Sequence, residues 1–323
     1  MRQDRARRAA GAARTFFGEV CSVYLTLLRV MVPALVVVKA LNELGATAWV
    51  ALALSPVMAL VGLPDEVAIV WAAAMLVNIY TGMVVFFDVA PQLGLSVAQV
   101  TVLGTMILVA HSLPVEGAVA KAAGASWRST LALRLGGALV LGALLNLAYS
   151  ASATLQEPAR LLWQPAGPAD DSLLTWVWAQ AQMLALIFVV IALLMLSLRL
   201  LRAIGVERWI HAALAPMLRL IGIGIGREAG HVTVIGFTLG ISFGAGLLIR
   251  EARSGVLNRR DMFLTMSFLG LCHSVIEDTL LIVLLGADLS GILWARLVFA
   301  LAVIAVLARL PMPKQLRDVP SQG

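Results

Sequence analysis

The chain has 323 residues, of which 61% are hydrophobic and 13% charged, and its mean hydropathy is +0.94. An average soluble domain is about half apolar and a quarter charged, so the composition excludes an ordinary soluble enzyme, a collagen-like chain and a disordered one. About 200 hydrophobic residues, at roughly 20 per bilayer crossing, suffice for as many as ten transmembrane helices with little left for a water-exposed domain. The formal net charge of +6 does not point to nucleic acid, because its placement follows topology. Arg2, Arg5, Arg7, Arg8 and Arg14 crowd the N-terminus, and other basic residues fall between apolar runs. That is the positive-inside pattern of a multi-pass protein of the cytoplasmic (inner) membrane with its N-terminus inside. Cys21 and Cys272 both lie in apolar runs, which leaves no disulfide framework or zinc ribbon and reads as two core thiols.

A basic cytoplasmic N-terminus, residues 1–18, precedes the first apolar segment. The run from Val20 to Leu41 is too long for a signal-peptide core and carries Arg29 and Lys39, so it reads as a retained helix. A first membrane region, 19–149, holds apolar windows at 19–41, 46–63, 67–89, 97–119 and 129–149. A polar linker follows at 150–173, with Pro158, Pro165, Pro168, Asp170 and Asp171. The second region, 174–310, holds windows at 174–198, 209–225, 230–249, 262–285 and 291–310, and a cytoplasmic tail occupies 311–323. Ten crossings put Arg199, Arg202 and Arg208 in one cytoplasmic loop and Arg250, Arg253, Arg259 and Arg260 in another. Eight crossings place the first group outside, so the charge bias favours ten. Windows 46–63 and 209–225 are short and contain Pro56 and Pro216, and either reads also as a tilted or interfacial helix.

The two regions read as one unit written twice. Leu41, Gly45, Trp49, Pro56 and Gly62 recur 160 residues later as Leu201, Gly205, Trp209, Pro216 and Gly222. Past a two-residue insertion near Gly224, Glu66, Gly82, His111, Ser112, Gly124, Arg134 and Leu135 recur 162 later as Glu228, Gly244, His273, Ser274, Gly286, Arg296 and Leu297. Glu116 falls opposite Asp278, and Lys39 opposite Arg199. With five windows per copy, an odd number, the second copy enters from the opposite face, which makes the expected architecture an all-α polytopic protein of two inverted repeats. Such repeats are associated with alternating-access transport around a site of broken helices near the bilayer midplane.

The segments Thr101–Glu116 and Cys272–Thr279, with those around Asn78–Gly82 and Gly240–Gly244, look like the nucleoside recognition (Gate) domain family of bacterial membrane proteins. The likeness covers about residues 40–149 and 200–310. The resemblance implies kinship with spore maturation proteins A and B, and with gates in concentrative nucleoside transporters and ferrous iron transport protein B. It implies a nucleoside-like or other small polar substrate without naming one. No attached GTPase domain is present, which argues against a complete ferrous iron system.

His111, Ser112 and Glu116 lie deep in the fourth window, and His273, Ser274, Glu277 and Asp278 occupy the same place in the ninth. Ionisable groups at such depth cost a few kcal/mol each and usually face a cavity or one another. The four-residue spacing of His273 and Glu277 predicts one helix face. Pro114 removes a backbone donor just after His111 and predicts a broken helix. Arg134 and Arg296 are the expected counterions of Glu116 and Asp278. In the third window Asn78, Tyr80, Thr81 and Gly82 interrupt the apolar run, so an unwound stretch there would let Asn78 and Thr81 hydrogen-bond a polar solute. Gly240, Ser242, Gly244 and Gly246 match it in the eighth. The plainer alternative is interhelical hydrogen bonding, with neutral histidines and close packing at the small residues.

Glu66 and Glu228 read as helix-end residues, with His231 as a partner for Glu228. Gly222–Gly226 lacks the strand-helix-strand setting of a dinucleotide site, and Asp88, Arg219 and Arg250 read as snorkelling near helix ends. Two histidines and three carboxylates suit a transition metal, but none of the pairs has a defining zinc spacing, which leaves metal ligation open. No hydrolase motif occurs, and Ser112 or Ser274 beside a histidine on a helix points about 100° away from it, so an enzyme is not expected. The function expected is a secondary transporter of a small polar solute with no cofactor, with H+ or Na+ as coupling ion. The alternatives are a divalent metal permease or a non-transport subunit of a larger complex. Expected partners are the lipid bilayer and the substrate, with a homo-oligomer or a partner membrane subunit left open.

Overall fold

The computed structural model describes residues 2–160, 172–220, 237, 249 and 259–310. Window 230–249 and the positions Gly222–Gly226, Glu228, His231, Gly240, Ser242, Gly244 and Gly246 therefore lie outside the described residues, as do Arg250 and the tail from residue 311. Among the described residues every regular element is a helix and no strand occurs.

Helix α1 (Arg2–Glu43) and α2 (Ala46–Leu60) open the chain. They lead into a 3-10 turn at Asp65–Val67 and then α3 (Ala68–Leu76) and α4 (Ile79–Val89). Helices α5 (Val97–Val109), α6 (Leu113–Ala122) and α7 (Trp127–Ser152) complete the first region. The second has α8 (Leu173–Ala203), α9 (Val206–Leu220), α10 (Arg259–Leu271) and α11 (Glu277–Val283), then a π-helical turn at Ser290–Ala295 that runs into α12 (Arg296–Arg309).

Among the described residues five stretches are long and apolar enough to cross a bilayer: Arg14–Glu43, Val97–Ala122, Trp127–Ser152, Leu173–Leu201 and Ser290–Arg309. Their burial separates them into two kinds. Along Val97–Ala122 the buried share is 78%, against 17–28% along the other four. The α5–α6 rod is thus the axis of the molecule, and the others turn apolar side chains such as Leu25, Val36, Leu147, Trp178 and Val306 outward. Apolar surface on this scale is stable against lipid rather than water. The chain is a polytopic membrane protein in contact with lipid.

Windows 46–63, 67–89 and 262–285 differ from single crossings. At 1.5 Å per residue, the 15-residue α2 reaches only about 22 Å of a roughly 30 Å hydrocarbon core, and window 209–225 runs past Leu220 out of the described residues. After α2 the chain bends by 107° into the helix that follows. Window 67–89 is two short helices, and α4 folds back on α3: a Cβ placed on Gly82 would stand 2.7 Å from the Ala74 Cβ, an approach no continuous helix allows eight residues apart. Window 262–285 is likewise divided, into α10 and α11. Average hydropathy does not register these breaks, because both arms of each are apolar.

Local chemistry sets the ends that matter. Ser96 and Gln99 form a reciprocal capping box at the start of α5, and Gln99 Nε2 also donates to the Gly62 carbonyl at 3.3 Å. The near end of the expected linker packs back on this point, with the Val97 and Ala98 amides donating to the carbonyls of Glu157 and Leu155. The first and second regions meet through small residues. A Cβ on Gly137 of α7 would stand 2.8 Å from Leu271, and one on Gly104 of α5 would stand 2.4 Å from Ile282 of α11. Glycine at these positions admits the neighbouring side chain directly against the backbone. Tyr24 of α1 donates to the Leu184 carbonyl of α8 at 3.0 Å, and Arg199 pairs with Glu19, so these two outer helices are tied together.

Candidate functional site at two broken helices

The α5–α6 and α10–α11 rods are interrupted in the same way. Each break centres on a serine in the left-handed region, Ser112 at φ 49° and Ser274 at φ 47°, a conformation that costs a non-glycine residue about 1–2 kcal/mol. Pro114 is not the cause: it is exposed and lies within the first turn of α6, where a proline is tolerated, and the second break has no proline at all. The carbonyls of Ser112 and Ser274 accept from the Glu116 and Asp278 amides, both at 3.0 Å, and so start the next helix. The freed amides find partners elsewhere. The Ser112 N–H donates to the Ala74 carbonyl at the tip of the α3–α4 hairpin (2.9 Å), and the Val275 N–H donates to the Phe237 carbonyl (3.0 Å).

These breaks bring the ionisable residues of both regions to one place. The His111 and His273 rings are 5.1 Å apart between centroids. His111 Nδ1 lies 3.0 Å from the Ile107 carbonyl oxygen and His273 Nδ1 2.7 Å from that of Leu269. A carbonyl oxygen only accepts, so Nδ1 carries the proton in both rings and Nε2 is the nitrogen free to gain or lose one. Both Nε2 atoms face Glu116 Oε1, at 3.3 Å from His111 and 3.2 Å from His273. Glu116 Oε2 receives Arg134 Nη1 at 2.5 Å, and Arg134 Nε donates to the Val109 carbonyl at 2.8 Å. Asp278 Oδ2 stands 3.7 Å from His111 Nε2 and has no hydrogen-bond partner. Every one of these side chains is closed to solvent, and the most exposed of the set, Ser112, is only 8% accessible.

Several expectations need correction. Arg134 is the counterion of Glu116, but Arg296 does not hold Asp278, and no ion pair joins them. Arg296, fully buried, donates through Nη2 to the His273 carbonyl (2.7 Å) and through Nε to Cys272 Sγ (3.4 Å), and its Nη1 has no partner. His273 and Glu277 do not share a helix face, because the left-handed Ser274 lies between them. Glu277 begins α11, only partly buried, and accepts from the Tyr80 hydroxyl at 3.1 Å. The unwinding in window 67–89 occurs at Val77 and Asn78, but Asn78 and Thr81 serve each other. Asn78 Oδ1 caps α4 by accepting from the Thr81 N–H (2.8 Å) and hydroxyl (3.1 Å).

Tyr80 and Cys272 also adjoin the site, through Glu277 and Arg296. Tyr80 lies in the polar run Asn78–Thr81, which was its one signal, while nothing in the sequence marked Cys272 as an acceptor for a buried arginine. Cys272 is buried and Cys21 partly so, both as free thiols. Neither serine hydroxyl hydrogen-bonds a histidine.

A helical bundle with several apolar spans around a closed ionisable centre defines the class, a multi-pass α-helical membrane protein. No family model matches the chain, and no solved structure does. The chain is 30% identical over 295 residues to the uncharacterized membrane protein YvoD of Bacillus subtilis (strain 168), across 88% of this chain and 89% of that protein. It belongs to the same membrane-protein family.

Proposed function

We propose that the chain is a secondary transporter of the cytoplasmic membrane that carries a small polar solute or ion, with the His111–Glu116–His273–Asp278 cluster as its binding and coupling centre. One observation carries this reading: two broken helices, one from each half of the chain, interlock buried ionisable side chains at a single point. His273 reaches Glu116 of the first half, and Asp278 approaches His111. Intramembrane charges are costly and mark substrate, ion or proton pathways, and helices broken at such a site are a transporter device. Under this reading the halves are inverted repeats that rock about the cluster, the N-terminus faces the cytoplasm, and the kinship is with nucleoside recognition (Gate) proteins.

The two Nε2 atoms favour H+ over Na+ as the coupling ion. With Nδ1–H committed to a backbone carbonyl, each ring accepts one further proton and then donates it to Glu116, so the cluster exchanges protons without rebuilding its frame. The test is reconstitution in liposomes carrying an internal pH indicator, challenged with labelled nucleosides, other polar metabolites and divalent cations. Solute-dependent proton movement in wild type, lost in His273→Gln and Glu116→Gln at equal incorporation, is the expected result. Flux at wild-type level in both variants would remove the cluster from the mechanism.

A further inference from the structure

His111, His273 and Asp278 bring three metal-ligating atoms within 4.8 Å of one another in the buried core. Donor atoms around a tetrahedral ion bound at about 2.0–2.1 Å stand roughly 3.3 Å apart. The 3.7 Å between His111 Nε2 and Asp278 Oδ2 is within half an ångström of that spacing, and the full set lies within about 1.5 Å of it.

Two independent features prepare this set for a cation. Each imidazole already donates Nδ1–H to a backbone carbonyl, Ile107 for one and Leu269 for the other. That outer bond orients metal-ligating histidines and leaves Nε2 as the ligand. Asp278 Oδ2 is a carboxylate oxygen in a residue 5% exposed, with no hydrogen-bond donor. Such an oxygen is costly to bury unless a cation or donor reaches it, and Arg296, the expected partner, is turned to His273 and Cys272.

From these features we infer that His111 Nε2, His273 Nε2 and Asp278 Oδ2 form a binding site for a divalent first-row transition-metal cation such as Zn2+ or Co2+. Two imidazoles and a single carboxylate suit borderline-soft ions and suit Mg2+ or Ca2+, which take six or more oxygens, poorly. Three protein ligands leave at least one coordination position open, as in sites that exchange what they hold. Glu116 Oε1 stands 3.3 and 3.2 Å from the same two Nε2 atoms, close enough to take that open position or to accept from a water in it, while its Oε2 stays with Arg134. The groups facing the centre are Glu116 from α6, Arg134 from α7, Asp278 with the more exposed Glu277 from α11, Arg296 from α12, and Tyr80 of α4 through Glu277. The two guanidinium groups weaken cation binding, which keeps it reversible. Naming the ion as cargo rests on the transport reading, whereas the site does not.

The test uses the full-length protein in detergent, stripped with a chelator and dialysed against Zn2+ or Co2+. One ion per chain is expected, with nitrogen ligation from two imidazoles in the X-ray absorption spectrum of the bound zinc. This readout needs no variant and survives any folding defect in the variants. Asp278→Asn and His273→Gln should each weaken binding about a hundredfold, in line with loss of a direct ligand. Affinity should fall with acidification by up to about tenfold per pH unit for each imidazole that must give up its Nε2 proton. Zinc uptake no greater than that of a His111→Gln/His273→Gln double variant, or an oxygen-only ligand shell, would overturn the site. In liposomes containing a zinc-responsive dye, ion entry supports cargo, and binding without entry keeps the site while overturning cargo. Solute flux with no metal binding overturns the site and leaves the transport reading standing.

Discussion

Replacing Arg134 with methionine tests the energetics of the buried centre directly. The substitution keeps an unbranched side chain of similar length and removes the arginine that pairs with Glu116. In wild type Arg134 is 1% exposed and Glu116 3%, with 2.5 Å between Nη1 and Oε2. With charge centres about 4 Å apart and an effective dielectric near 20, the attraction forgone is about 4 kcal/mol. Removing one member of a buried pair typically costs about 3–5 kcal/mol, so the two routes agree. Arg134→Met should therefore shift the unfolding equilibrium by two to three and a half powers of ten, at about 1.4 kcal/mol for each. Adding Glu116→Gln removes the stranded charge and should return at least about 2 kcal/mol. The assay is reversible denaturant unfolding in mixed micelles, followed by fluorescence of the chain's 8 tryptophans. A single-variant cost below about 1 kcal/mol, or a double variant whose cost equals the sum of the two singles, would refute the reasoning.

The same unfolding assay checks three further expectations. Arg296→Met should cost clearly less than Arg134→Met, because Arg296 pairs with no carboxylate and leaves none stranded; equal costs would show that the two arginines play the same part. Ser112→Gly and Ser274→Gly should each be neutral or stabilising by up to about 1 kcal/mol, since glycine adopts positive φ freely, while Ser112→Val should destabilise; a destabilising glycine would mean that the hydroxyl matters more than the backbone. Gly82→Ala should cost about 1–3 kcal/mol by overpacking against Ala74, and Ala74→Gly in the same chain should restore most of it, an outcome that a simple helix-propensity effect would not produce.

The sequence was most legible where it departed from hydrophobicity. His111, Glu116, His273 and Asp278 stood out as polar residues at matched positions in apolar windows, and the structure gathers all four. Arg134 was legible for the same reason. The cause and form of the breaks were not. A left-handed serine leaves no compositional mark, and the exposed Pro114 drew the eye to the wrong residue. The return of α4 along α3 was hidden because Ala74 and Gly82 look like ordinary members of an apolar run. Arg296 matches Arg134 in the sequence repeat without having an equivalent partner. Its guanidinium instead follows the carbonyl exposed by the break, and a free main-chain oxygen has no signature in the sequence.

The contacts across the centre are exchanged between the halves: His273 of the second reaches Glu116 of the first, and His111 of the first faces Asp278 of the second. Drawing the two broken helices apart lengthens both contacts in the same movement. Separation therefore acts on the two sides unequally: Glu116 keeps His111 and Arg134 of its own half, whereas His273 and Asp278 lose their partners from the other half at the same moment.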